Sequence, residues 1–209
     1  MKEPTGYIIK KWGLQNASGW RMPIQIPNTT RKDLAKLFAE LGYRKGAEIG
    51  TSKGSYASIL ARCNPECEIY CVDPWETYND LTDWTDEVVL NEYWEIAKAR
   101  LSKLPKVHII KEYSMNALHN FDDESLDFVF IDANHAFPYV AEDVYFWSKK
   151  VRPGGIVSGH DYLKAVREDG VVQVREVVDA YTRAFWINRW FVVDECSLKR
   201  AGSFFWVKS

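Results

Sequence analysis

The sequence has few of the features that would place it outside ordinary enzymes. Only four of its 209 residues are cysteine, namely Cys63, Cys67, Cys71 and Cys196. None forms a CxxC pair, so neither a disulfide framework nor a common zinc site is expected. Charge of one sign is also missing: the formal net charge is -2, which sets up no strong field toward nucleic acid or an anionic membrane. The basic run Lys149, Lys150 and Arg152 reads as a solvated helix end. No apolar run approaches the length of a membrane span, and Met1 to Lys11 holds no signal-type apolar core. A soluble cytoplasmic protein is expected. Internal repeats and low-complexity linkers are absent as well, and the length suits one domain.

What is present is a regular alternation of apolar patterns. Residues 1–27 show no clear period and carry Gly6, Gly13, Gly19, Pro23, Trp12 and Trp20, so an irregular N-terminal arm is expected there. From Asn28 onward a single domain, 28–209, is expected. Asn28, Thr29 and Thr30 offer N-caps, Leu34, Leu37, Phe38 and Leu41 recur at helical spacing, and Gly42 ends the run. Strands follow at Ala47–Gly50, Glu68–Asp73, Val107–Lys111, Leu126–Asp132 and Ile156–Ser158, with Pro153-Gly154-Gly155 as a turn into the last. Helices lie between them: Ser55–Arg62, a long one over Asp83–Leu104, a short one after Ser114, and one marked by Val140, Val144, Trp147 and Val151. A helix over Val171–Ala184 precedes two strands, Trp190–Val193 and Ser203–Val207, which lack a helix between them and can pair antiparallel. Leu126–Asp132 is almost continuously apolar, the pattern of a central parallel strand buried on both faces. Such alternation requires crossovers, hence an α/β fold: a Rossmann-like, doubly wound, seven-stranded sheet, mostly parallel, with an antiparallel C-terminal strand and helices on both faces. Cys67 and Cys71 fall at even separation on one strand and are read as small core residues.

Such sheets bind ligands beyond the carboxyl ends of their strands. After the first strand the chain reads Glu48-Ile49-Gly50-Thr51-Ser52-Lys53-Gly54-Ser55. Gly50 and Gly54 allow close backbone approach, and Ser55 is placed to cap the next helix. This is not GxGxxG, which argues against a nicotinamide-dependent oxidoreductase. Glu48 would be unwelcome beside a pyrophosphate but suits a ligand bearing a cationic amino group and a sulfonium. Asp73, ending the second strand, can accept both hydroxyls of a ribose.

A second cluster of polar groups arises at two neighbouring strand ends: Asp132 and His135 after one, His160 and Asp161 after the next. Four such groups at one sheet edge point to a chemical site. The segments Glu76–Glu87 (with Tyr78, Asp83 and Trp84) and Tyr162–Gly170 (with Lys164 and Arg167), together with the arm, read as lids over an acceptor. Nine tryptophans would allow stacking on a sugar or phenol, although most are expected in the core.

Glu48-x-Gly50-x-x-x-Gly54, Val72-Asp73-Pro74-Trp75, Phe130-Ile131-Asp132-Ala133-Asn134-His135, Pro153-Gly154-Gly155 and Gly159-His160-Asp161-Tyr162 together resemble the class I S-adenosylmethionine (SAM)-dependent methyltransferases. Within them the chain is similar to the small group around the macrocin-type sugar O-methyltransferases, and more distantly to the catechol O-methyltransferases. The likeness spans about Gly46 to Tyr162. It implies that Glu48, Gly50, Thr51 and Gly54 line the methionine end of SAM. It implies Asp73 on the ribose, Tyr113 and Ser114 near adenine, and Trp75 stacked close to the adenosine, with Asp132 also at the cofactor. Catalysis would involve His135, Asp132 and His160, with His135 as the base. A divalent metal, magnesium or manganese, would be held by Asp132, His160 and Asp161. His160 departs from the family's pattern, since a neutral imidazole suits manganese, iron or zinc better than magnesium. The expected partner is a small-molecule acceptor, with no nucleic acid and no membrane, and self-association into a homo-oligomer is left open. A SAM-binding protein without methyl transfer is the remaining alternative, because a fold does not fix a chemistry.

Overall fold

A computed structural model describes residues 3–15, 22–77, 86–163, 165–167, 170–194 and 201–209. Gly19, Trp20, Tyr78, Asp83, Trp84, Lys164 and Cys196, named above, lie outside the described residues, as does the side chain of Arg167. The elements are α1 (Pro4–Lys11), β1 (Ile24–Pro27), α2 (Arg31–Glu40), β2 (Lys45–Ile49), α3 (Ser55–Cys63), β3 (Glu68–Val72), α4 (Glu87–Leu101), β4 (Val107–Ile110), α5 (Ser114–Ala117), β5 (Leu126–Ile131), α6 (Phe137–Lys150), β6 (Val151–Tyr162), β7 (Ala165–Arg167), β8 (Gly170–Val172), α7 (Val174–Ala184), β9 (Phe191–Asp194) and β10 (Gly202–Val207).

The main sheet runs β1-β9-β10-β6-β5-β2-β3-β4. All neighbours pair parallel except β10, which is antiparallel to both β6 and β9. The expected α/β architecture is therefore present, with eight strands in the main sheet where seven were expected. The additional strand is β1, in the segment expected to be irregular. Its Ile24 and Ile26 are buried while Gln25 and Pro27 are exposed. Proline is tolerated there because β1 is an edge strand. The same segment also forms α1, which starts on Pro4 with the Glu3 carboxylate accepting from the Thr5 amide at 2.9 Å, and buries Ile8. The arm is thus part of the domain's sheet and core.

Helices cover both faces. Period-2 alternation sorts the strand side chains between them. Ile69 and Cys71 of β3, with Phe128 and Phe130 of β5, pack with Leu34, Phe38, Tyr56, Leu60 and Leu101 on the α1–α4 face. Val72, Val129 and Ile131 pack with Val140, Val144, Trp147 and Val178 on the α5–α7 face. Cys67 and Cys71 both belong to the first cluster and are free and buried. Two further departures concern boundaries. Pro153-Gly154-Gly155 lies inside β6, where the register against β5 shifts between Leu126 and Phe128, so the expected turn is an irregularity within a strand. Asp86 caps α4 by accepting from the Val88 amide at 2.8 Å, so the described helix, Glu87–Leu101, lies inside the expected Asp83–Leu104 span.

Candidate functional site

The sheet reverses its winding between β2 and β5: from β2 the chain proceeds outward through β3 and β4, then returns to β2's other side. Open α/β sheets take ligands in the crevice at this switch point. The strands are held tightly there. The Gly50 amide donates to the Val72 carbonyl at 2.9 Å, and the Asp132 amide to the Ile49 carbonyl at 2.7 Å. A cleft of about 660 Å³, partly open to solvent, lies outside these strand ends; Gly50, Ser52, Asp73, Trp75, Tyr93, Ser114, Asp132 and Asn134 are among the residues lining it. That volume counts the open solvent at its mouth, and the enclosed part is about 80 Å³.

Of the residues assigned to a cofactor from sequence, Gly50, Asp73, Trp75, Ser114 and Asp132 line the cleft. Glu48, Thr51, Gly54 and Tyr113 are not among its lining residues. Gly54 packs beside Leu101 of α4 and caps α3 at φ +70°, a conformation that favours glycine. Gly54 also takes the cap position expected of Ser55, which is instead the first residue of α3 and accepts from Arg100 at 2.7 Å. The Tyr113 hydroxyl donates to the Thr77 carbonyl at 3.0 Å, tying the strand end to the loop after β3. Trp75 is only 3% exposed. Its indole donates to the Ser52 carbonyl at 2.8 Å and its ring lies 4.7 Å from that of Trp94, so it packs as part of the cleft's wall.

Asp73 shapes the turn itself. Its two oxygens accept the amides of Ser52 and Trp75, each at 2.8 Å, and Asp73 also lines the cleft. Burial pushes this carboxyl up from its ordinary value, and the amides of Ser52, Trp75 and Thr51 pull it back. Glu48 sits in the central strand β2 between Cys71 and Phe130, 2% exposed, with its Oε2 lacking a hydrogen-bond partner. Burial, then the neighbouring Asp132 charge, hold it well above the usual carboxylate range, with Arg31 opposing. After β4, Ser114 donates to Asp143 and accepts from the Trp147 indole at 2.7 Å. Burial pushes Asp143 up to about 7.

The second cluster assembles around Asp132, which lines the cleft. His135 Nε2 lies 3.5 Å from Asp132 Oδ1 and 3.3 Å from Asp161 Oδ2. His160 Nδ1 lies 3.2 Å from Asp161 Oδ1 and 3.9 Å from Asp132 Oδ1. All four side chains are thus brought together. The group with ligand atoms within 4.8 Å of one another is Asp132, His135 and Asp161. His135 therefore occupies the place in the metal-type triad that the sequence reading gave to His160. Three-residue spacing from Asp132 folds His135 back over the strand end, whereas His160 is still inside β6 and turned against Asp161.

Sequence reasoning missed Arg31. This first residue of α2 places its guanidinium 3.5 Å from Asp132 Oδ2 and 5.2 Å from the Tyr56 ring centre. The Arg31-Lys32 pair at the start of a helix, next to a Thr-Thr cap, was the available signal. The chain between β8 and α7 also touches the site: the Gln173 amide donates to the His135 carbonyl at 2.9 Å, and its side chain accepts from the Phe137 amide at 3.1 Å. The paired strands β7 and β8 are thereby anchored beside His135.

The profile of a family described as a methyltransferase domain matches residues 47–162, more than half of the chain. Among curated protein sequences none matches at significance. Solved structures with the same fold include the O-methyltransferase TomG of Streptomyces achromogenes in complex with SAM (18% identity, TM-score 0.60, 100% of this chain and 91% of that one). They include an O-methyltransferase of Bacillus cereus in complex with S-adenosylhomocysteine (SAH) (18%, 0.56, 98% and 90%). A spermidine synthase of Thermotoga maritima also shares the fold (13%, 0.56, 86% of this chain), and the chain spans 60% of that protein's length. Likeness at these identities establishes the fold; the family match over the switch-point strands establishes the kind of domain. The chain belongs to the methyltransferase-domain family and is a SAM-dependent methyltransferase.

Proposed function

We propose that the protein transfers the methyl group of SAM to a hydroxyl oxygen of a small-molecule acceptor, a sugar or a phenol. The observation that carries this reading is the placement of His135 between two carboxylates, Asp132 and Asp161, with Asp132 itself lining the cleft. Methyl transfer is an in-line displacement from a sulfonium that is already a good leaving group, so the protein's task is to orient the acceptor and remove its proton. An alcohol holds that proton tightly, and a positioned imidazole is suited to take it near neutrality. The imidazolium so formed is stabilised by Asp132 and Asp161. His160, held by Asp161, fixes that carboxylate in turn.

On the donor side, Asp73, which lines the cleft, would accept the ribose hydroxyls. The Gly50–Gly54 turn, with Thr51, would wrap the amino-acid tail, and Glu48 would meet the ammonium. Ser114 and Tyr113 would border adenine, with Trp75 packed under the adenosine. The SAM- and SAH-bound O-methyltransferases of the same fold support this assignment. Neither nucleic acid nor membrane is expected as a partner; no helix among the described residues is long and apolar enough to cross a membrane.

A second reading is favoured by the clustering of the Asp132, His135 and Asp161 ligand atoms. Two carboxylates and an imidazole fit one divalent ion, and the imidazole favours manganese, iron or zinc over magnesium. These three residues would hold it, and the ion would supply Lewis-acid polarisation of the acceptor hydroxyl. In that case His135 is a ligand rather than the base.

Incubating the purified chain with methyl-labelled SAM and panels of sugars and phenols, with and without chelator, tests both. His135→Ala should lower turnover by about 10²–10⁴ while leaving SAH affinity intact. A methyl group recovered on nitrogen or carbon, or turnover indifferent to His135→Ala, would sink the proposal. Loss of activity with chelator, restored by one ion, would select the second reading.

A further inference from the structure

We propose that a second hollow, along α7, holds the distal part of the acceptor, and that this part is a sugar bearing a carboxylate or a phosphate. The inference rests on the methyl-transfer reading above and narrows its acceptor to an acidic saccharide.

The hollow lies between α7, the segments leading into β1 and β9, and the end of β6; Pro23, Tyr162, Arg175, Arg183, Trp186 and Asn188 are among its lining residues. It is open to solvent and has about 620 Å³ of free space, enough for a small ligand. Arg175, Asp179, Thr182 and Arg183 fall at i, i+4, i+7 and i+8, so one face of α7 presents them together. Backbone contacts tie this face to the catalytic cluster. The Arg175 amide donates to the Leu163 carbonyl at 3.2 Å, and the amide of Gln173, two residues earlier, donates to the His135 carbonyl at 2.9 Å. Tyr162, in the hollow's wall, directly follows Asp161. From Arg175 to Arg183 the helix rises about 12 Å. That is further than one sugar ring spans, so an acceptor held at Arg183 needs a second unit to bring its hydroxyl to the cluster.

The charge selects an anion. Arg183 has no ion pair among the described residues, and Arg175 meets Asp179 only at 3.7 Å. Asp179 is already engaged by the Tyr162 hydroxyl at 2.6 Å. The hollow thus carries an excess of positive charge on a chain whose formal net charge is -2.

Trp186 supplies an independent observation. It follows α7 at φ +55°, the left-handed position where helices usually place glycine. The cap is complete: the Trp186 amide donates to the Arg183 carbonyl at 3.3 Å and the Ile187 amide to the Thr182 carbonyl at 2.8 Å. A bulky side chain strains the backbone there, and the ring is 81% exposed, so burial does not offset the strain. A ligand stacked on the indole accounts for keeping it. With Arg183 and Asn188 beside the ring, a sugar fits best, since its apolar face stacks while its edges hydrogen-bond.

NMR titration of the Trp186 indole signal, assigned with Trp186→Phe, tests binding without turnover. The probes are glucose, galactose and mannose, each as the neutral sugar, the uronate and the sugar phosphate. Acidic forms should shift the signal at concentrations about tenfold below their neutral partners, and whether uronates or phosphates do so identifies the anion. Added salt should weaken that preference, and Arg183→Met should abolish it while leaving SAH affinity unchanged. Trp186→Gly should lose sugar binding yet raise the thermal midpoint by about 2–4 °C as the strain is relieved. With methyl-labelled SAM, acidic disaccharides should be preferred to neutral ones through KM, and Arg183→Met should remove the preference with kcat unchanged. Equal responses to acidic and neutral sugars, an equal response to a glutamate peptide, or a lower midpoint for Trp186→Gly would each overturn the inference. Sugar binding without methyl transfer to any acceptor would overturn the reading above as well, whereas sugar methylation indifferent to charge and to Arg183→Met would overturn this inference alone.

Discussion

The carbonyl oxygen of Asp132 lies 2.2 Å from the position a β-carbon on Gly50 would occupy. The residue that turns the chain after β2 and the residue that opens the second cluster are thus in direct backbone contact. Gly50 also has φ +89°, a conformation that side chains disfavour. Gly50→Ala should therefore both strain the turn and push β5 away from β2. The expected outcome is a lower thermal midpoint, from a destabilisation of about 2 kcal/mol or more, and loss of SAH binding by calorimetry. A variant with wild-type melting and affinity would show that the contact is slack.

Asp73 has a double duty, since it holds the amides of Ser52 and Trp75 while facing the cleft. Asp73→Asn keeps the size and one acceptor oxygen but cannot serve both amides and both ribose hydroxyls. SAH affinity should fall about 10–100-fold, with a smaller effect on thermal unfolding. Unchanged affinity would remove Asp73 from the donor site.

The sequence exposed the strand–helix alternation, the switch point and the four polar groups of the second cluster because each depends on local pattern: apolar periods, a glycine turn, acids at strand ends. What it concealed depends on long-range pairing. Ile24 and Ile26 alternate properly for a strand, yet flanked by Pro23 and Pro27 they give no strand signal until β9 is beside them. Gly54, assigned to the cofactor from sequence, also caps a helix against Leu101, on an element many residues away. Likewise, the choice between His135 and His160 as the third member of the triad turns on how β5 and β6 end relative to one another, which spacing alone does not encode.

The buried Asp143 gives the fold a pH signature. Its carboxyl is pushed up to about 7, against 3.8 for the free group, so between these values the native state holds a proton that the unfolded chain has released. Stability from this group is full below the unfolded value and is lost as pH rises through the folded one. Between pH 5 and pH 8 the loss is on the order of 3 kcal/mol at most. Asp143→Asn should therefore gain on wild type as pH rises from 5 to 8 in urea unfolding. Parallel pH profiles for the two proteins would show that Asp143 ionises normally.

Glu48 should couple donor binding to proton release. In the free protein, burial and the Asp132 charge hold its carboxyl well above the usual range, so the group carries a proton at pH values where an ordinary glutamate does not. An ammonium brought against its unpartnered Oε2 favours the ionised form, so binding must lower that pKa and expel the proton. The sign follows: affinity for SAH rises with pH until the free-state value is passed, by at most about tenfold per pH unit, and then levels off. Calorimetry in two buffers of different ionisation enthalpy measures the released proton directly. Glu48→Gln should bind SAH more weakly and abolish the buffer dependence. If wild type shows no buffer dependence between pH 5 and 8, Glu48 is not the ammonium's partner, and the tail must be held by the turn's amides instead.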